Sequence, residues 1–299
     1  MSPLTLRACA KINLNLRVLG RRPDGFHDIE SAVQTITFCD RVTLDPAATR
    51  ITLEVDDPSV PADASNLAWR AAACLPVPPG GPRGVGIRLE KRVPTGAGLG
   101  GGSSDAAAVL LGAARLWGLA PGPGEMEERA ASLGSDVPFF LVGGTAILGG
   151  RGDRVTPLPD QPGYDLLVAW PGTPMATREV YSAASAALTS VRKISRMARF
   201  EPKLRGAAPE RVEAWIGVGN ELEPYARALC PAIGEIRERL LEAGATAAAM
   251  SGSGSAVFGV FRDRTALGRA VRAMEDRGFR AVRCAPLGRQ DYRKGLGLA

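Results

Sequence analysis

Apolar and polar residues alternate from Thr5 to Val18, with Lys11, Asn13 and Asn15 on one face and Ile12, Leu14 and Leu16 on the other; that is the period of a strand. Polar side chains in such a run are either the wet face of a half-exposed strand or groups with partners. Val33 to Leu44, Ile51 to Val55 and the alternation Val85, Ile87, Leu89 read as further strands, punctuated by turn residues such as Arg22-Pro23-Asp24-Gly25 and Asp56-Asp57-Pro58. Ser65-Asn66 caps a helix that runs to about Leu75. Ser103, Ser104 and Asp105 are good N-cap residues for a second helix, in which Val109, Leu110, Ala113, Leu116 and Trp117 recur at helical spacing to about Gly118. A third opens at Gly134-Ser135-Asp136-Val137-Pro138, and Thr145 to Leu148 with Arg154 to Leu158 form a hairpin. The proline-rich passage from Pro157 to Pro162 divides the chain into residues 1–157 and 158–299. Beyond it come a buried strand from Leu166 to Trp170 and a helix capped by Thr177, with Tyr181 one turn later. A helix from Ile233 to Ala243, strands Ala245 to Met250 and Ala256 to Phe261, a helix Thr265 to Arg277 and a strand Phe279 to Cys284 complete a split β-α-β-like pattern.

Composition narrows the class. The chain has 299 residues, 45% of them hydrophobic and 23% charged, which is room for two globular domains. The longest apolar stretches, Val137 to Val142 and Ala245 to Met250, fall far short of the ~20 residues of a membrane span, and the N-terminus has no basic segment followed by an apolar core. A soluble, cytoplasmic protein with no membrane partner is expected. Five scattered cysteines (Cys9, Cys39, Cys74, Cys230, Cys284) without a C-x-x-C pair read as reduced thiols, with no zinc site. The formal charge of +6 suits phosphorylated ligands. Arg192, Lys193, Arg196, Arg199, Lys203 and Arg205 read as a solvated face, and an aromatic content of 5% argues against a base-stacking nucleic-acid surface.

The stretch Pro94-Thr95-Gly96-Ala97-Gly98-Leu99-Gly100-Gly101-Gly102-Ser103-Ser104 carries the chemistry. Its five glycines in seven positions allow positive φ and let a ligand touch main-chain N–H groups. It feeds a helix N-terminus, which favours an anion, most often a phosphate. A flexible turn does not require so many glycines. Gly96, Gly98 and Gly101 satisfy G-x-G-x-x-G, but Glu90-Lys91-Arg92-Val93-Pro94 separates them from the preceding strand, unlike a dinucleotide fold. A P-loop needs a lysine after the last glycine, and none follows Gly102.

Pro94 to Ser104 resembles the P-x-x-x-G-L-G-S/G-S-S loop of the GHMP small-molecule kinases, the family of galactokinase, homoserine kinase and mevalonate kinase. The triple glycine is similar to the branch that phosphorylates 4-diphosphocytidyl-2-C-methyl-D-erythritol in non-mevalonate isoprenoid biosynthesis. Ala-Lys-Ile-Asn-Leu at 10–14, Arg-Pro-Asp-Gly-Phe-His at 22–27, Gly-Ser-Asp-Val-Pro-Phe-Phe at 134–140 and Ser-Gly-Ser-Gly-Ser at 251–255 resemble its other motifs, in family order. The resemblance implies a two-domain α+β fold: an N-terminal ribosomal-protein-S5-like α/β domain with extra strands, a C-terminal ferredoxin-like domain, and an active site in the cleft between them. It implies ATP and Mg²⁺, and a small-molecule acceptor linked to cytidine diphosphate. By the same resemblance Asp136 is the general base and Lys11 stabilises charge, while Pro94 to Ser104 cradles the triphosphate and Asn66 and Lys91 approach the adenine. Asn13 lines the acceptor site, Phe26 and Tyr181 wall the cytosine, His27 reads its edge and Thr177 meets the diphosphate. Asn220-Glu221-Leu222-Glu223 resembles N-D-L-E, with Glu221 in place of the usual Asp, and no role is carried to it. The rivals are a homoserine- or mevalonate-type kinase, an NAD-binding oxidoreductase and an RNA-binding protein; monomer and homodimer both remain open.

Overall fold

The computed structural model describes residues 2–46, 48–76, 84–161, 163–191 and 211–297. In chain order the strands are β1 Leu4–Asn13, β2 Arg17–Arg21, β3 His27–Asp45, β4 Ile51–Val55, β5 Val85–Glu90, β6 Thr145–Gly149, β7 Arg154–Pro157, β8 Asp165–Trp170, β9 Ala247–Met250, β10 Val257–Phe261 and β11 Arg280–Cys284. The helices are α1 Leu67–Ala73, α2 Gly101–Leu116, α3 Pro123–Leu133, α4 Val137–Val142, α5 Thr177–Val191, α6 Val212–Ile216, α7 Glu223–Leu229, α8 Ala232–Glu242, α9 Arg264–Glu275 and α10 Arg289–Gly295. The basic cluster from Arg192 to Arg205 lies outside the described residues.

Seven strands form the first sheet, organised by β3, which at 19 residues is long enough to pair with β1, β2, β5 and β6 at different points along its length. The remaining four strands run antiparallel in the order β11-β8-β10-β9, the strand order of a ferredoxin-like β-α-β-β-α-β unit. β8 shows why its sequence is apolar throughout. Leu166, Val168 and Trp170 pack toward the first sheet, with Ile12, Leu14 and Ile36, while Leu167 and Ala169 pack toward α8 and α9. A strand covered on both faces needs no polar alternation.

Helix α2 lies against β1 and β3 because its inner face is made of small residues. Ala106, Ala107, Ala113 and Gly112 are buried there, and a Cβ at Gly112 would stand 2.5 Å from Leu44 Cδ1 and 2.7 Å from Leu6 Cδ1. Residues 287–296 return to this first core: Leu287, Tyr292 and Leu296 are buried in it, and the Tyr292 hydroxyl donates to the Phe140 carbonyl at 2.7 Å.

Several expectations need correction. Helix α2 begins at Gly101 with Gly100 as its N-cap, earlier than Ser103 to Asp105, because Gly100 takes the left-handed conformation (φ 71°) and its carbonyl accepts from Ser104 N at 2.9 Å. The run from Thr5 to Val18 is two strands interrupted after Asn13. Of the two readings of its polar face, the one with partners holds: Lys11, Asn13 and Asn15 are 4%, 2% and 3% exposed. Asn15 accepts from Ala32 N at 2.9 Å and donates to the Trp215 carbonyl at 3.2 Å, and Asn13 donates to Ser31 Oγ at 2.8 Å. Nor are all five cysteines reduced. Cys9 and Cys39 stand directly opposite in the β1–β3 register, with sulfurs bonded at 2.07 Å; Cys74, Cys230 and Cys284 are free thiols. Helices α3, α6, α7 and α10 have no counterpart in the apolar pattern. No helix among the described residues is long and apolar enough to cross a membrane.

Candidate active site

The glycine loop is held by its carbonyls. Gly96 O accepts from Met175 N (3.0 Å), Ala97 O from Ala256 N (3.1 Å), Leu99 O from Lys11 N (2.9 Å) and Gly98 O from the Ser251 hydroxyl (2.9 Å). Three of these donors belong to the second half of the chain. No N–H from Thr95 to Ser103 has a protein acceptor among the described residues. With one edge of the backbone tied down and the other bare, the loop and the first turn of α2 form a concave row of donors, the geometry that takes an anion. Gly98 and Gly100 fix that shape: both have positive φ (77° and 71°), and a Cβ would meet Ser251 O at 2.1 Å and the Phe140 ring at 2.8 Å.

Beside the loop stand Lys11 and Asp136. A register shift in the β1–β3 pairing falls between Cys9 and Lys11, and such irregularities re-aim a side chain. The ammonium of Lys11 lies 3.5 Å from Asp136 Oδ2 and donates to Asn13 Oδ1 at 2.5 Å. Asp136 occupies the N-cap position of α4, yet its side chain makes no capping hydrogen bond. Its carboxylate is 34% exposed and faces Lys11. Capping alone therefore does not account for it.

A cavity of about 1120 Å³ joins the loop and this ion pair to an aromatic end. There the His27 and Tyr181 rings stack with centroids 5.0 Å apart, and the Arg151 guanidinium lies 5.5 Å from the centre of the Phe26 ring. Phe26 is 50% exposed, a large apolar side chain left open to solvent. Burial, and secondarily the charge of Asp136, push the Tyr181 phenol above its ordinary pKa, so it stays a neutral donor. The Ser185 hydroxyl lies 3.3 Å from His27 Nε2, and the Thr177 and Ser253 hydroxyls are 2.9 Å apart.

Lys11, Asn13, Phe26, His27, Asp136, Thr177 and Tyr181 thus line one cavity with Pro94 to Ser103. Three expected residues do not. Asn66 accepts from Ala68 N and donates to Pro61 O, which makes it the cap of α1. Lys91 turns its ammonium inward to Asp40 and Asp105. Ser104 is fully buried and donates to Cys9 O at 2.8 Å, because starting α2 at Gly101 rotates it to the inner face. The cavity also holds Arg21, Arg151, Arg178 and Ser185, which sequence reading missed. Only Ser185 carried a signal: Thr177, Tyr181 and Ser185 recur every four residues, one face of a helix.

The family model for the GHMP kinases N terminal domain matches residues 66–144, and that for the GHMP kinases C terminal matches residues 197–280. A 4-diphosphocytidyl-2-C-methyl-D-erythritol kinase of Symbiobacterium thermophilum is 42% identical over 273 residues, 88% of this chain and 92% of its own. The chain belongs to the GHMP kinase family. A second relative of the same name, from Synechococcus sp. (strain JA-3-3Ab), is 43% identical over 92% of this chain and 89% of its own. Among solved structures, a 4-(cytidine 5'-diphospho)-2C-methyl-D-erythritol kinase superposes with a TM-score of 0.74 at 35% identity, covering 95% of this chain and 100% of the other. Homoserine kinase from Cytophaga hutchinsonii gives a TM-score of 0.71 at 20% identity, covering 98% and 96%; that likeness is one of fold. As a GHMP kinase the protein is an ATP-dependent phosphotransferase.

Proposed function

We propose that this GHMP kinase transfers the γ-phosphoryl group of ATP to the 2-hydroxyl of 4-diphosphocytidyl-2-C-methyl-D-erythritol, giving the 2-phosphate and ADP, in isoprenoid precursor biosynthesis. The observation that carries the chemistry is the Lys11–Asp136 pair, 3.5 Å apart, set beside a row of unpaired amides in one cavity. Phosphoryl transfer needs positioning and charge stabilisation more than covalent help from the protein. In this reading the amides from Thr95 to Ser103 bind the triphosphate. Asp136 accepts the proton of the attacking hydroxyl as the new P–O bond forms and the bond to the β-phosphate oxygen breaks. The Lys11 ammonium neutralises charge on the transferring group. Asn13 orients Lys11 through its Oδ1.

The aromatic end supports a base-bearing acceptor. Phe26 offers a half-exposed apolar face, and the stacked rings of His27 and Tyr181 line the same cavity, so that aromatic surface is available to a cytosine. Thr177 lines the same cavity and is read as the diphosphate contact. Homoserine and mevalonate carry no base to stack on those rings.

Among the described residues no group of three His, Cys, Asp or Glu could hold a metal, so those residues supply no all-protein cage. That fits Mg²⁺ carried in on the triphosphate, since this ion keeps few protein ligands. Asp136 and Ser103 are the cavity oxygens suited to it, and the bound ion would supply further neutralisation of the phosphoryl charge. We also take residues 1–157 and 158–299 as the two domains, with residues 287–296 crossing back, and the cytoplasm, where ATP is available, as the place of action.

The deciding measurement is ADP release with and without the cytidyl acceptor, in the presence of homoserine and mevalonate as controls. Acceptor-dependent ADP with the cytidyl compound alone is expected; turnover with either control in its place would sink the assignment.

A further inference from the structure

Two carboxylates and one ammonium are buried beneath the glycine loop, and the chemistry above uses none of them. Asp40 on β3 is 1% exposed and Asp105 on α2 is 2% exposed. The Lys91 ammonium donates to Asp40 Oδ2 and, at 2.6 Å, to Asp105 Oδ2. The other oxygen of Asp40 accepts from the backbone N–H of Arg92 (2.5 Å) and of Val93 (2.8 Å), the two residues that lead into Pro94. Asp105 lies one position past Ser104, where the loop has become helix. Gly101, the first residue of α2, closes the gap: a Cβ there would stand 2.9 Å from Val93 Cγ1 and 3.5 Å from Asp40 Oδ2. One ammonium therefore ties a central strand to both the entry and the exit of the loop.

Stability does not explain such a cluster. Burying charges carries a desolvation penalty that attraction repays only in part, and apolar side chains of equal volume commonly serve as well or better. Here two negative groups share one positive group. Burial, then the repulsion of Asp40, push the Asp105 carboxyl far above its ordinary range against the pull of Lys91. Burial lowers the Lys91 pKa, but the two carboxylates outweigh it and hold the ammonium protonated. What the arrangement does fix is geometry. The middle of the loop is held by its carbonyls, three of them by donors from the second half of the chain, and this cluster reaches both of its ends.

We propose that Asp40, Lys91 and Asp105 form a positioning clamp that sets the amides of the glycine loop for the triphosphate, so that it governs ATP affinity and leaves the proton transfer at Asp136 alone. Lys91 then acts on the nucleotide through the loop and does not touch it with its ammonium. The proposal rests on the reading of the loop as the nucleotide site.

The test is a set of steady-state measurements on the full-length chain, with ATP and the cytidyl acceptor varied separately. Lys91→Met should raise KM for ATP by about tenfold, with kcat and KM for the acceptor within about twofold of wild type. Asp105→Asn keeps an oxygen for Lys91 and drops only the charge, so its KM for ATP should rise by less than about threefold. Should Lys91→Met be insoluble because it strands two carboxylates, the double variant Lys91→Met with Asp105→Asn removes one of them and is expected to show the same rise. A wild-type KM for ATP in soluble Lys91→Met or in the double variant would overturn the clamp, as would a loss confined to kcat. Insolubility of both would overturn it too, by making the cluster a requirement of the fold. Wild-type enzyme run alongside separates the two readings, since no acceptor-dependent ADP release there would refute the kinase assignment itself.

Discussion

At the level of single residues, the site is an agreement between side chains far apart in the sequence. Asp136 alone reads as an N-cap, and Lys11 alone as a polar position on a strand; their approach to 3.5 Å gives each a use. Asp136→Asn keeps the size of the side chain and removes the carboxylate proposed as the base. Turnover should fall by ~10²-fold or more, the usual effect of losing a general base, with ATP affinity retained. Titration with a non-hydrolysable ATP analogue, run beside the kinetics, checks both halves of that statement. Near-normal kcat would return Asp136 to a structural role. Lys91 is the converse case, where motif placement pointed at the nucleotide and burial showed an inward ammonium. Sequence cannot distinguish a lysine that reaches a ligand from one that reaches two buried carboxylates, because both partners come from other segments.

Among the elements, the loop and the helix it feeds show which glycines matter. Gly98 has a φ of 77° and no room for a Cβ, which would strike Ser251 O at 2.1 Å. Gly102 is helical, with nothing within 4 Å of a Cβ. Gly98→Ala should therefore lose folded protein or move the loop. Gly102→Ala should raise the melting temperature, by the roughly 0.5–1 kcal/mol that separates Ala from Gly in a helix, while its new methyl, on a residue that lines the cavity, raises KM for ATP. A melting curve and a KM for ATP on the same sample decide it; a gain in stability without a change in KM would move the phosphates elsewhere. Another element-scale contact is the pair of Glu213 on α6 and Arg262 after β10, 3.1 Å apart. Burial raises the Glu213 carboxyl, but hydrogen bonds from Arg262, its own backbone and Thr246 bring it down to about 2 from an ordinary 4.5. A depressed carboxyl stabilises the folded state fully above its unfolded pKa and loses that contribution as pH falls through the folded value. Wild type should lose more stability than Glu213→Gln between about pH 5 and about pH 2; urea midpoints across that range would show parallel lines if the pair were idle.

Across the whole molecule, the second half of the chain builds the site in the first. Met175, Ser251 and Ala256 hold the loop carbonyls, and Tyr181 and Ser185 complete the aromatic end. The last helix then returns to the first core, where Tyr292 is buried against α4, the helix that presents Asp136. Tyr292→Ala should cost about 3–5 kcal/mol, the range for deleting a fully buried aromatic, read as a lowered denaturant midpoint. A change under about 1 kcal/mol would mean that α10 adds little to the core.

The strands from β3 onward, helices α1 and α2 and the presence of a phosphate-type loop were legible in the sequence, because period-two and helical patterns, capping residues and runs of glycine are local consequences of backbone sterics. Helices α6 and α7 were not, being short segments whose helicity comes from packing and not from a long apolar stripe. The amino-acid sequence by itself determined which groups were available to do chemistry: bare amides, one lysine, one aspartate and a pair of aromatic walls. Tertiary structure alone decided that Lys11 and Asp136 face each other, that Asn66 caps α1 and Lys91 turns to Asp40 and Asp105, and that Cys9 and Cys39 join across strands. Each of these is a contact between segments distant along the chain, and nothing in either segment states where the other will lie.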